Sequence, residues 1–518
     1  MKRKLFLLGV VFVGAVLVMC LPLVAVQAAS STNYWFDNEL DADLDDLAGA
    51  GLIKDQLSSF RPVTRGEAGR QFAAALDHCS GMATPSAECA LLQAHDGKFF
   101  ATEIAEARTP ESVQDHVFKP VEKFSLSYRY YSDPFSVFNN EGIDYGEGHN
   151  AVVQLQSHAR VFKALSFFVQ PALIYNQHER FDDESNVDVR LHKGYAKLTL
   201  YNFEIQAGRD SLWWGPGYHA ALLMSRNAKP LDMIKLSNPE PVVLPWFFSY
   251  LGPVQFNLIF SQLHDVRTGA ELINPFLYGL RVGIKPHRYL ELGGSHLVMF
   301  SGAGRRDLSA GDVLKILYGN TNPDPGKKTD SNSQFAVDAA LTLPNIKQYI
   351  FLADGLKVYV EWGAEDSGFP PDKRAYLTGL ALYKPFGLET AVLRAEYADL
   401  SPGSLPDAWY RHPSYPMRND GRVFGHHAGS DAEDVFVEWS QRFQKVFYKI
   451  GFDRERSGEH SQAFAQSKNQ YFVECGYRIH ENADVSLLYG YEDIKNFEYV
   501  DGERERNHFV GIETSFAF

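Results

Sequence analysis

The sequence predicts a mainly β protein: a transmembrane antiparallel β-barrel of about 18 strands, preceded by a small N-terminal helical domain. Three observations carry this. From about residue 122 the apolar residues recur with period two, in segments of about ten residues, the length of a tilted bilayer crossing. The connections sort by parity, mostly a few residues after even segments and long and polar after odd ones, as in barrels with short periplasmic turns and long outside loops. The chain closes on HFVGIETSFAF, where Val510, Ile512, Thr514, Phe516 and Phe518 face one way and Gly511, Glu513, Ser515 and Ala517 the other.

In chain order, the first element is a signal peptide over 1–28. Lys2, Arg3 and Lys4 precede an apolar run from Leu5 to Val26, with small residues at Ala25, Ala28 and Ala29. At about 22 residues the run is long enough to span a bilayer, but it ends in a Val-Gln-Ala cleavage pattern, which favours a removable signal. Cys20, in LVMC, lacks the small preceding residue of a lipoprotein site.

Residues 33–120 read as a helical domain on the periplasmic side, and 121–518 as the barrel. Leu40, Leu44, Leu47 and Leu52 lie near helical spacing, closed by Gly49 and Gly51. Thr64 and Glu67 form a capping box before an Ala-rich helical run, and a further helix is expected around 89–107. Cys79 and Cys89 flank a Gly/Pro/Ser loop and could pair in an oxidising compartment.

Strands are expected near 122–132, 150–160, 165–175, 187–200, 203–209, 241–249, 254–263, 276–285, 288–299, 331–344, 356–365, 375–386, 389–398, 433–444, 445–455, 469–480, 483–493 and 507–518. One set of alternate residues, such as Val358, Val360 and Trp362, is apolar and faces lipid. The other faces a lumen and brings charges of both signs: Arg281, Lys285, Lys357, Glu361, Arg394, Glu396, Glu438, Arg442, Glu474, Arg478 and Glu492. These either neutralise one another or form a polar surface for a hydrophilic substrate. Cys475 falls on the lipid face with Tyr471, Val473, Tyr477 and Ile479 and is inert there. In 187–200 the apolar parity flips near Lys193–Gly194, which marks a β-bulge or a shifted register. The connection at about 345–355 is longer than the parity rule wants.

The net charge of −14 argues against a nucleic-acid partner. No CxxC, HExxH or clustered Cys/His spacing marks a metal centre, no cofactor motif is present, and no G-x-S-x-G marks a hydrolase. Acidic residues are plentiful, but no spacing singles out a glycosidase pair.

Three connections far exceed a turn: about 210–240, 300–330 and 399–432. The first, GRDSLWWGPGYHAALLMSRNAKPLD, is expected to fold into the barrel mouth as a plug, with Gly215, Pro216 and Gly217 turning the chain into a helix over AALLMSRNA. Trp213 and Trp214 offer faces on which sugar rings stack, or simply pack in the plug. The third interleaves aromatic, Arg, Asn and Asp side chains, a composition that suits carbohydrate and equally any ordered polar loop. His426 and His427 are adjacent and could not both reach one metal from a strand, so a hydrogen-bonding role is expected.

The segments GRDSLWWGPGYHAALLMSRNAKP, WYRHPSYPMRNDGRVFGHHAGSD and LAGAGLI…FRPVTRGEA resemble the capsule-assembly Wzi family over most of the mature chain. The resemblance implies an 18-stranded outer-membrane barrel with a periplasmic helical bundle, acting as a surface lectin that retains capsular or exopolysaccharide. It singles out Arg209, Trp213, Trp214, Arg226, Asn227, Tyr410, His412, Tyr415, His426 and Asp431 as polysaccharide-binding or plug residues, with Gly215, Pro216, Gly217, Gly425 and Gly429 beside them. The expected protein is a monomer without catalysis, cofactor or metal. Its partners would be surface polysaccharide, outer-membrane lipid and the barrel-insertion machinery. The competing readings are a diffusion channel for hydrophilic solutes and an outer-membrane enzyme acting on glycan or lipid.

Overall fold

The computed structural model describes residues 28–36, 44–177, 186–263, 274–317, 328–349, 351–365, 373–401 and 409–518. The expected signal peptide up to residue 27, and Leu40, lie outside these residues.

Long alternating segments leave one apolar face per strand, and an antiparallel sheet that closes on itself satisfies every backbone group without an edge. That is the architecture. The strands are β1 Val117–Tyr131, β2 Gly148–Val161, β3 Leu165–Asn176, β4 Val187–Leu200, β5 Phe203–Asp210, β6 Leu231–Ser237, β7 Pro253–Gln262, β8 Phe276–His287 and β9 Leu290–Phe300. They continue with β10 Ser331–Leu343, β11 Gly355–Glu365, β12 Arg374–Tyr383, β13 Ala391–Asp399, β14 Ala432–Arg442, β15 Val446–Ser457, β16 Gln466–His480, β17 Ala483–Lys495 and β18 Arg504–Ala517. Neighbours pair antiparallel in sequence order, and β18 closes on β1 with Phe509 opposite Tyr131 and Ala517 opposite Lys123.

The expected faces hold. Val358, Val360, Ile450, Val473, Val510 and Ile512 are exposed on the outside, as is Cys475, while Arg281, Lys357, Glu361, Arg394 and Glu438 are buried inside. The parity flip in β4 is a bulge: Gln170 pairs with Lys193 and Pro171 with Leu191, so His192 is the extra residue.

The sixth strand is a correction. Instead of 241–249 it is Leu231–Ser237; the expected stretch holds only a two-residue strand, Val242–Val243, and a 3-10 turn, Trp246–Leu251. Leu231 and Met233 are apolar yet point inward against the plug, which blurs the alternation of the true strand. The decoy is apolar for another reason. Trp246, Phe247 and Tyr250 stand exposed at the end of the barrel that carries the short turns, with Phe162, Tyr201, Tyr349 and Phe386. Such a ring of aromatics is the girdle of a membrane–water interface.

The short-turn end is capped by helices α1 Leu44–Gly49, α2 Arg65–Ser80, α3 Ala87–Ala94 and α4 Ala101–Arg108. The single helix expected around 89–107 is thus α3 and α4, joined through a short turn at Asp96–Phe99. Thr64 caps α2 by accepting from the Glu67 N–H, as the capping box predicts. Leu44, Leu47, Leu52, Phe72, Leu92, Phe100 and Ile104 form one core, and Cys79 and Cys89 are joined within it by a disulfide.

Charges tie this domain to the barrel. Asp45 meets Lys357 at 2.9 Å, Asp46 meets Arg394 at 2.6 Å and also Arg442, and Glu88 meets Lys384 at 2.9 Å. The lumenal cations of β11, β13 and β14 are therefore partners of α1. Burial alone would raise the Asp45 pKa; the facing Lys357 and Arg61 outweigh it and hold the carboxyl below its ordinary range.

Candidate functional site

The long connection 211–230 enters the barrel, as expected, but it is not helical. AALLMSRNA runs through turns and extended backbone, because its peptide groups are claimed by distant partners. Leu222 N–H donates to Glu361 Oε2 at 3.0 Å, Trp214 N–H to the Met224 carbonyl at 2.9 Å and Ser225 N–H to the Phe424 carbonyl at 2.6 Å. Tyr218 N–H, at 2.9 Å, and His219 N–H both donate to Glu396. A helix would have to give these up for local bonds, and propensity is too weak to decide against buried charged acceptors.

Trp213 and Trp214 form a two-residue strand that pairs with Phe60–Arg61, so the plug from the loop end meets the N-terminal domain from the turn end inside the barrel. Gly215 sits at φ 133° where a Cβ would lie 2.0 Å from Glu361 Oε1, and at Gly425 a Cβ would lie 2.1 Å from the Leu222 carbonyl oxygen. Both positions are glycine because backbone and wall approach too closely for any side chain.

The described parts of the third long connection, 400–401 and 409–431, lie against the plug. Tyr410 is fully buried: its hydroxyl donates to the Leu222 carbonyl and accepts from His426 N–H at 2.7 Å, and its own N–H donates to Glu365 at 2.6 Å. Burial pushes its phenol pKa up. His412 Nδ1 accepts from the N–H groups of Ser414 and Tyr415, and buried Tyr415 lies under the Arg305 guanidinium. Asp431 accepts from Ser461 N–H at 2.8 Å and from His460 Nδ1 at 2.8 Å, which draws the 458–465 loop inward.

The predicted residues thus divide. Tyr410, Tyr415, His412 and Trp214 hold the plug together. Trp213 and Arg226 line an interior cavity of about 450 Å³ with Trp35, Phe138 and Tyr218; the Arg226 guanidinium stacks over Trp35 at 4.6 Å. Asn227 lines a second cavity, of about 470 Å³, among the loops, with Arg411, Arg418, Arg422, Gln462, Gln466 and Tyr499. Arg209 joins neither group. It lies on the outer face, paired with Asp232 at 2.7 Å.

Sequence spacing also missed a cluster at the loop end. His219 from the plug, His426 and His427 from the third connection, Asp434 of β14, and Asp453 and Glu455 of β15 converge there. Burial first, and His427 second, push the His219 pKa down to about 3 and His426 well below its ordinary value. Asp453 belongs to the polar face of its strand, so parity carried to the strand ends is the one signal that could have found part of it. The histidines come from connections about 200 residues apart, and no local pattern joins them.

Comparison with known proteins follows the same outline. Wzi of Escherichia coli, an outer membrane protein involved in group 1 capsule assembly and described as a carbohydrate-binding β-barrel, superposes with a TM-score of 0.68 at 17% identity, covering 94% of this chain and 99% of that one. At that identity the likeness shows the fold. A Klebsiella pneumoniae protein known as an uncharacterized 55.8 kDa protein in the cps region is 26% identical over 112 residues, a match that spans 21% of this chain and only 22% of that protein. The profile of the family described as capsule assembly protein Wzi matches residues 125–509, nearly the whole barrel, and the chain belongs to that family.

Proposed function

We propose that this protein sits in the outer membrane and binds capsular or exopolysaccharide at the cell surface, retaining it there without chemistry. The observation that carries the reading is the pairing of a filled barrel with an open, polar cavity on the loop side. At about 470 Å³ the cavity falls within the usual range of ligand sites, roughly 300–1,000 Å³. Its arginine, glutamine, asparagine and tyrosine side chains supply the donors and the flat apolar face that a sugar ring needs. In this reading Arg411, Arg418, Gln462, Gln466, Tyr499 and Asn227 contact the glycan, while Trp213 and Arg226 belong to the inner wall.

The interior carboxylates support binding over catalysis. Glu361, Glu365, Glu396 and Glu291 each accept backbone N–H groups from the plug, the third connection or the N-terminal domain. A glycosidase acid or base must instead reach a bound substrate. The plug and the helical cap oppose the channel reading. The helices stand on the periplasmic side, the chain acts as a monomer, and lipid surrounds the aromatic girdle.

Deletion of the gene is expected to shift polysaccharide from the cell-attached to the released fraction with the total unchanged. Open-porin conductance of the pure protein in planar bilayers would sink this reading, as would unchanged attachment in the deletion strain.

A further inference from the structure

The cluster at the loop end has the distances of a coordination shell. His219 Nε2 lies 3.4 Å from Asp434 Oδ2 and 3.8 Å from Asp453 Oδ2; His427 Nε2 lies 3.5 Å from Asp434 Oδ2 and 3.2 Å from Glu455 Oε1. Three of these four separations are longer than ordinary hydrogen bonds, about 2.7–3.2 Å, and the contact to Glu455 is at the upper end of that range. They bracket the edge of a tetrahedron around a zinc ion, about 3.3 Å when its bonds to nitrogen and oxygen are about 2.0–2.1 Å.

The polar atoms that converge are buried and unsatisfied. His219 Nε2, both nitrogens of His427, Asp434 Oδ1, both oxygens of Asp453 and Glu455 Oε1 have no hydrogen-bond partner. Asp453 is 0% exposed and Asp434 2%. Among the described residues the lysine or arginine that pairs with these carboxylates is Lys468, which meets Glu455 at 2.8 Å. Leaving buried carboxylates uncompensated costs several kcal/mol each, and a divalent cation removes that cost.

We propose that His219, His427 and Asp434 hold one first-row divalent transition ion, with Asp453, whose Oδ2 lies 3.8 Å from His219 Nε2, closing the shell: Zn²⁺ by the mixed imidazole and carboxylate set. His426 is a positioning residue. Its Nδ1 accepts from Ala428 N–H at 3.3 Å, which leaves the proton of the neutral ring on Nε2, 3.3 Å from Asp434 Oδ2. Glu455, held by Lys468, flanks the ion. Phe138 stacks on His427 at 4.3 Å and Phe436 on His219 at 3.9 Å, and His219 with both phenylalanines also lines the interior cavity.

The ion would tie the plug, the third connection and two wall strands together. His427, Glu455 and Lys468 also line the outer cavity, so the ion forms part of its floor. This holds whether or not that cavity takes polysaccharide.

The test uses the full chain in detergent, without a polyhistidine tag, stripped with a chelator and reloaded with Zn²⁺ or Co²⁺. The expected result is one ion retained per chain by elemental analysis, a Co²⁺ absorption spectrum of low-symmetry four-coordinate type, and a higher thermal midpoint with Zn²⁺. Asp453→Asn, which keeps the shape of the side chain, should lose the ion, the spectrum and the midpoint shift while remaining heat-modifiable on gels. His427→Ala should do the same, and His426→Gln should weaken retention with the Co²⁺ spectrum preserved in form. Wild-type protein that retains no stoichiometric ion, or an Asp453→Asn variant that binds as wild type does, overturns the proposal. So does a protonated-carboxylate infrared band that Asp453→Asn abolishes in metal-free and metal-treated wild type alike, because a shared proton would then neutralise the site.

Discussion

The two halves of the barrel interior are built on opposite principles. Along β7 to β13 the inward side chains include, beside charged groups such as Arg281, Glu361 and Arg394, an apolar or small set: Ile259, Leu277, Leu297, Met299, Ala336, Ala340, Ala375, Leu377 and Ala398. They pack on Leu212, Trp214, Leu222 and Trp409 of the two long connections in one continuous core. Along β14 to β18 and β1 to β4 polar groups predominate among scattered aromatics such as Phe436 and Phe509, including Asp434, Glu438, Asp453, Gln470, Glu492, Asn507, Arg129, Gln170 and Lys193. The interior cavity lined by Trp213 and Arg226 lies against this second wall. One half seals the barrel by burying apolar surface, which is non-directional and close-packed. The other relies on ion pairs and hydrogen bonds, which hold groups at fixed spacing and leave room between them.

If that division is right, the largest effects come from the apolar half. Trp214→Ala empties a fully buried site and is expected to destabilise the folded barrel by about 3–5 kcal/mol, read as a lower heat-modification midpoint on gels. An equal loss from Gln470→Ala, on the polar wall, would break the comparison. Next is the seam where wall acids hold the plug: Glu361→Leu leaves the Leu222 N–H without its acceptor, for a loss of about 1–3 kcal/mol by thermal unfolding in detergent. A neutral result would mean that the plug does not depend on that carboxylate.

The polar half should show the reverse balance. Arg411→Ala with Tyr499→Ala is expected to change stability by no more than about 0.5 kcal/mol per site yet to lower cell-attached polysaccharide severalfold. Unchanged attachment would remove the outer cavity from the binding surface.

The smallest effect is local. His460 has its pKa raised by its hydrogen bond to Asp431, so the pair's contribution is complete below about pH 6.5 and is lost as pH rises through the higher folded value. Burial would raise the Asp431 pKa, but its bonds to Ser461 and His460 hold it low, so its side of the contact persists until the pH falls through that lowered value. Hydrogen exchange in 458–465 should therefore be slower at pH 5.5 than at pH 8.5 after correction for intrinsic rates, and His460→Ala should abolish the difference.

The sequence by itself determined the barrel, its faces and its closing strand. A half-buried strand repeats its environment every second residue, so ten residues suffice to show it; Val358, Val360, Ile450 and Ile512 declare the lipid face without reference to any other strand. It also determined the Thr64 cap and a parity flip near Lys193–Gly194, which are local; the structure resolves that flip as a bulge at His192. It failed at 241–249 and at the AALLMSRNA helix, where apolar content came from an interface girdle and from a plug whose backbone bonds are long-range. Tertiary structure alone decided which side of the barrel is filled, that Arg209 faces outward, and that His219 meets His427 and Asp453. Those facts depend on where long connections fold back, and a connection's destination is set by the buried partners it finds rather than by its own pattern.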